Sequence, residues 1–150
     1  MEWSPRAILG SLQLPVAGVG FGLLVLTLLY ANSIPPSPPQ SDGFVEGLAG
    51  FFILVFGAIG FVLLVAGLLI PPGPGYGIHF TRKQRWLFAY ALAAPLVGVG
   101  AFLASLTLSA AVGGLFEAAV SVFFVALSTA PLALLAGLGW KAVQVATARI

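Results

Sequence analysis

Apolar side chains run without alternation through four long stretches of this chain, Ala7 to Tyr30, Phe44 to Ile70, Trp86 to Leu108 and Leu115 to Trp140, and polar residues collect between them. Each stretch exceeds the roughly 20 residues that an α-helix needs to cross a bilayer core. The runs are continuous rather than two-periodic, and each is more than twice the about 10 residues of a spanning strand, which speaks against a β-barrel. The pattern predicts four helices, at 7–30, 44–70, 84–108 and 115–140. The first is longer than a signal-peptide core of about 7–15 residues. It also matches a segment deep in the chain, so it reads as a helix and not as a cleaved leader.

That match is the second strong signal. PVAGVGFGLLVLTL at Pro15 to Leu28 and PLVGVGAFLASLTL at Pro95 to Leu108 share eight of fourteen residues at a constant offset of 80, among them Pro15/Pro95, Gly18/Gly98, Gly20/Gly100 and Thr27/Thr107. A weaker correspondence at an offset of 71 sets Gly43 and Glu46 beside Gly114 and Glu117, and Phe52 beside Phe123. The nine-residue difference falls in a connecting loop, where insertions cost little. The expected architecture is therefore an all-α integral membrane protein in which four transmembrane helices form a bundle from two tandem helical hairpins. The halves, about 1–70 and 81–150, make a parallel internal repeat, since the first and third helices run the same way. One membrane domain, 1–150, accounts for the whole chain.

The connections carry their own chemistry. Ser4-Pro5 reads as an N-cap followed by proline at the first helical position, and Thr81-Arg-Lys-Gln84 fits a capping box. Pro35, Pro36, Pro38 and Pro39 make the first connection extended and stiff, and Pro71-Pro72 ends the second helix.

Composition sharpens the class. Hydrophobic residues make up 60% and charged residues only 7% of the 150 positions, with a mean hydropathy of +1.11. Soluble domains carry about 25% charged residues. Cysteine is absent, which removes disulfides and thiolate chemistry. The six basic residues, Arg6, Arg82, Lys83, Arg85, Lys141 and Arg149, all fall in the N-terminus, the second connection or the C-terminal tail. The positive-inside rule then puts both termini in the cytoplasm of a multi-pass protein of the cell membrane. Trp3, Trp86 and Trp140 stand near the same ends, as interfacial anchors do. Arg82, Lys83 and Arg85 are expected to fix topology and to touch anionic lipid headgroups. Three juxtamembrane charges are too small a face for nucleic acid.

Few residues offer chemistry. Glu46 and Glu117 are the candidate ion or proton site, because acids near a membrane are costly to keep, with Asp42 adding negative potential. The same positions suit wet first-turn carboxylates that complement a helix dipole. Pro15, Pro95 and Pro131 are expected to kink their helices, freeing the carbonyls of Ser11, Ala91 and Leu127. The pairs Gly18-xxx-Gly22, Gly43-xxx-Gly47, Gly114-xxx-Ala118 and Ala133-xxx-Gly137 allow close helix approach. Thr27, Thr107, Ser105 and Ser109 are expected to bond backbone or neighbouring helices. His79 reads as a solvated interfacial side chain. With no nucleophile and base in register, no metal-ligand cluster and no phosphate loop, neither an enzyme nor a cofactor is expected. The expected role is a structural or accessory subunit packing against the bilayer and a larger membrane complex or a copy of itself. The alternative is a minimal transporter or channel subunit with the glutamate pair at its external mouth.

Overall fold

The computed structural model describes residues 5–35, 43–73, 75–108 and 114–148. Trp3, Ser4, Pro36, Pro38, Pro39, Asp42, Ser109 and Arg149 lie outside the described residues, as do the side chains of Arg6 and Thr107. The described chain is all-helical: α1 (Pro5–Ser11), α2 (Gln13–Ser33), α3 (Phe44–Leu69), α4 (Arg82–Leu108) and α5 (Leu115–Thr147). Four stretches are long and apolar enough to cross a membrane, namely Ile8–Ser33, Phe44–Leu69, Arg82–Leu106 and Leu115–Thr147.

Two differences from the expected helices have physical causes. The first helix is broken at Leu12, whose amide reaches back only three residues to the Leu9 carbonyl at 3.1 Å. Ser11, the last residue of α1, owns the carbonyl that the Pro15 ring would crowd and that Pro15 cannot satisfy. The break puts Pro15 in the first turn of α2, where a missing N–H is harmless. Pro95 and Pro131, by contrast, lie within helices that continue past them. The second difference is at the C-terminus, where α5 runs to Thr147 rather than stopping near Trp140. Lys141 and Gln144 fall on the face already carried by Ala130, Leu134 and Gly137, and both find partners there.

The chain divides into two compact units, Met1–Ile78 and His79–Ile150. In the first, α2 and α3 pair antiparallel: Ala17 meets Gly67, Gly20 meets Gly60 and Leu64, and Thr27 approaches Gly57. The α2 seam, Gln13, Ala17, Gly20, Leu24 and Thr27, steps by four and three in turn. That spacing is the signature of nearly parallel axes with a slight left-handed crossing. At Gly20 the fit is so close that a Cβ would strike the Leu64 backbone nitrogen, and at Gly67 one would strike the Ala17 backbone. Gly10 of α1 lies equally close to the Gly73 backbone.

In the second unit α4 and α5 also pair antiparallel. Gln84, Phe88, Ala91, Gly98 and Ser105 are buried along one face of α4, with Pro95 and Phe102 half-buried between them. Gly98 lies against Phe123 and Ala126, and Gly137 against the Phe88 ring. Phe102 packs between Phe116 and Phe123, at centroid distances of 5.9 and 5.8 Å.

The two seams do not follow the sequence match. Gly20 packs against α3, yet its counterpart Gly100 has no atom of its unit within 4 Å of a Cβ position; Gly98 packs against α5, yet its counterpart Gly18 is open. An offset of 78, not 80, brings the seams into register. Two residues turn a helix by about 200°, so the matching segments present opposite faces to their partners.

Candidate functional sites at the helix ends

Glu46 and Glu117 occupy matching local positions. Each lies in the first turn of its helix, three residues after a glycine held in the left-handed region, Gly43 at φ 74° and Gly114 at φ 78°. That conformation costs glycine little and a side-chain-bearing residue much more. Gly43 and Gly114 each accept the first helical amide, from Gly47 at 2.9 Å and from Ala118 at 3.1 Å. Glu46 is half-buried and Glu117 exposed. A carboxylate at this point complements the positive end of the helix dipole. The two belong to different units, and among the described residues no three acidic or imidazole side chains converge on one point.

Two buried glutamines each make more than one hydrogen bond. Gln13, only 1% exposed, closes a two-point amide contact with the backbone of Ile78: its Oε1 accepts the Ile78 N–H at 2.7 Å and its Nε2 donates to the Ile78 carbonyl at 3.1 Å. This ties the end of the first unit to the start of α2. Gly77 makes the approach possible, since a Cβ there would collide with Gln13 Oε1, and its φ of 93° suits glycine.

Gln84, fully buried, does three things at once. Its Oε1 accepts the Thr81 amide at 2.8 Å, while Thr81 Oγ1 accepts the Gln84 amide at 3.4 Å, the reciprocal pair of a capping box. Its Nε2 donates to Gln144 Oε1 at 3.2 Å, joining α4 to the extension of α5. Lys141 Nζ donates to the His79 carbonyl at 2.7 Å, and Phe80 meets Phe88 edge to face at 4.9 Å. His79 itself is exposed. Arg82, Lys83 and Arg85 are exposed around this cluster, Lys83 standing 5.9 Å from the centre of the Trp140 ring.

Hydroxyls elsewhere turn inward on their own helices. Thr27 donates to Leu23 at 2.7 Å, Ser105 to Phe102 at 2.7 Å, Ser121 to Glu117 at 2.9 Å and Ser128 to Phe124 at 2.8 Å, all at backbone carbonyls. Tyr90 and Thr129 share a hydroxyl bond of 2.7 Å across α4 and α5. Two open grooves flank the pairs. One of about 390 Å³ is lined by Leu23, Leu26, Thr27, Tyr30, Phe52, Ile53 and Phe56. Another of about 460 Å³ lies between Tyr90, Val97, Val122 and Val125. Both are almost wholly apolar.

Of the small-residue pairs in the sequence, Gly137 is in close contact, whereas Gly18, Gly22, Gly47 and Gly114 have no atom of their unit within 4 Å of a Cβ position. The close approaches fall instead at Gly20, Gly60, Gly67 and Gly98. The capping motif is legible in the sequence, whereas Gln13 and Gln144 are not among the residues its motifs mark. A lone buried amide in an apolar helix was the signal available for Gln13, and for Gln144 it was the three-and-four spacing that links it to Gly137 and Lys141.

Comparison with protein-family models, with curated proteins and with solved structures gives no match.

Proposed function

We propose that this chain is a small multi-pass membrane protein, with both termini cytoplasmic, that serves as a structural or accessory subunit of a larger membrane assembly or of a homo-oligomer. One observation carries the reading: among the described residues, the side-chain amides and the serine and threonine hydroxyls of the helices bond within their own unit, and between the charged helix ends the exposed side chains are mostly apolar. Lipid or a partner helix can cover such a surface, whereas a solute path needs polar groups to replace a hydration shell. Among the described residues neither groove is lined by an acid–base pair, which favours a packing role over a catalytic one.

The test is purification of the tagged chain from its own membranes in mild detergent, with a native mass and identification of whatever elutes with it. A stoichiometric membrane companion, or a defined homo-oligomer without ion flux in vesicles, supports the subunit reading. A monomer without companions overturns it.

A second reading, a minimal transporter or channel subunit, draws on the matched placement of Glu46 and Glu117 behind left-handed glycines. It requires cation or proton flux in vesicles that falls in Glu46→Gln and Glu117→Gln; flux equal in wild type and both variants removes it.

A further inference from the structure

Cations crowd one end of the second unit. Arg82, Lys83 and Arg85 all lie in the first turn of α4 and are all exposed. That turn contains no acid. The only acidic side chain between His79 and Ile150 is Glu117, at the far end of the antiparallel pair. Along α5 it stands about 36 Å from Lys141, well beyond a Debye length at physiological salt.

Three positive charges at a helix N-terminus oppose one another and oppose the helix dipole, whose positive end is there. The protein relieves little of this. Lys83 is set over the Trp140 ring, a cation–π contact, and the Lys141 ammonium is committed to the His79 carbonyl. Arg82 and Arg85 keep their guanidinium groups outward, and a guanidinium offers a planar fork suited to phosphate oxygens. Trp86, 67% exposed, and Trp140, 44% exposed, flank the charges with the amphipathic rings that settle at headgroup depth.

The geometry points to an anionic phospholipid headgroup bound by Arg82, Lys83 and Arg85 at the first turn of α4, its acyl chains running down beside Trp86 and Trp140. The headgroup supplies a full negative charge where the described residues of the second unit offer no acidic side chain and only the negative end of the α5 dipole, and the surrounding bilayer holds it at the right depth. The inference rests on the four apolar helices being inserted. Recovery of the chain in soluble form without detergent fails that insertion, whatever the outcome with lipid.

Full-length protein in neutral detergent is titrated with phosphatidylglycerol and, separately, with phosphatidylcholine of the same acyl chains, and bound lipid is counted by native mass spectrometry. Wild type retains phosphatidylglycerol in preference. Each of Lys83→Gln and Arg85→Gln weakens that retention about fivefold, as expected for a basic residue worth about 1 kcal/mol at an anionic surface. Arg85→Lys keeps most of it, and Lys141→Gln leaves it unchanged. Single substitutions leave two charges in the turn to maintain topology, and the lysine variant guards against a folding artefact. Inorganic phosphate at millimolar concentration does not displace the lipid. Equal retention of the two lipids by wild type, unaltered preference in both glutamine variants, displacement by free phosphate, or an acidic protein occupying this face in purified complexes would each overturn the assignment.

Discussion

Gly20 and Gly18 lie two positions apart in one helix and carry opposite expectations. Alanine at 20 must push α2 off the Leu64 backbone, and overpacking of this kind costs about 1–3 kcal/mol. Alanine at 18 meets nothing in its unit and gains up to about 1 kcal/mol of helix propensity. Thermal unfolding in detergent should therefore separate the variants clearly, Gly20→Ala melting well below Gly18→Ala; indistinguishable melting would mean that the seam is not where the structure places it. Gln13→Leu should also destabilise, by about 1–3 kcal/mol, because it strands the N–H and the carbonyl of Ile78 together. Protease cleavage near Gly75 should rise in that variant, and an unchanged cleavage rate would show that the Gln13 bonds do not hold the segment. The sequence marked the two glutamates readily, since acids are rare in it. It could not mark Gly20, because α2 is apolar on every side and polarity gives no hint of which glycine faces a partner. Repetition was misleading for the same reason: Gly18 and Gly98 match in sequence and differ in use.

Helices were legible because length and continuous hydrophobicity decide them, and the limits of α3 and α4 fall within two residues of the expected ones. The ends that moved did so through contacts distant in sequence. Lys141 and Gln144 look like a polar tail until His79 and Gln84, some sixty residues earlier, are placed beside them. The break at Leu12 depends on the carbonyl that Pro15 crowds, which a pattern of apolar residues does not reveal. The α5 extension is accordingly a working part of the second unit. Removing residues 141–150 should lower the melting temperature in detergent more than Thr81→Ala does. The deletion takes away both the Gln144 and the Lys141 bonds, whereas the alanine loses one cap worth about 1 kcal/mol. A truncated chain as stable as the alanine variant would make the extension a passive tail.

If the four apolar helices are inserted as proposed, charge asymmetry and helix count together predict one orientation across the bilayer. With four spans, the start of the chain, the second connection with the first turn of α4, and the α5 extension with the residues after it share one side, and all six basic residues lie in those three places. Translocating any of them would work against the positive-inside bias, whereas the first and third connections carry no Lys or Arg and cross freely. Since the chain has no cysteine, single introduced thiols report without background. An impermeant thiol reagent applied to intact cells should label Ser37→Cys and Ser109→Cys, and should label Gly75→Cys only after lysis. The third site is the decisive one. Gly75 adopts a φ of 80°, so cysteine there carries some strain, but it sits in a turn with open space around it and the fold should survive. Reaction of Gly75→Cys in intact cells, with Ser37→Cys protected, would invert the protein. Reaction of all three would mean that fewer than four helices span. Either result would put Arg82, Lys83 and Arg85 in different surroundings, because the cytoplasmic membrane surface proposed for them rests on the same count of spans.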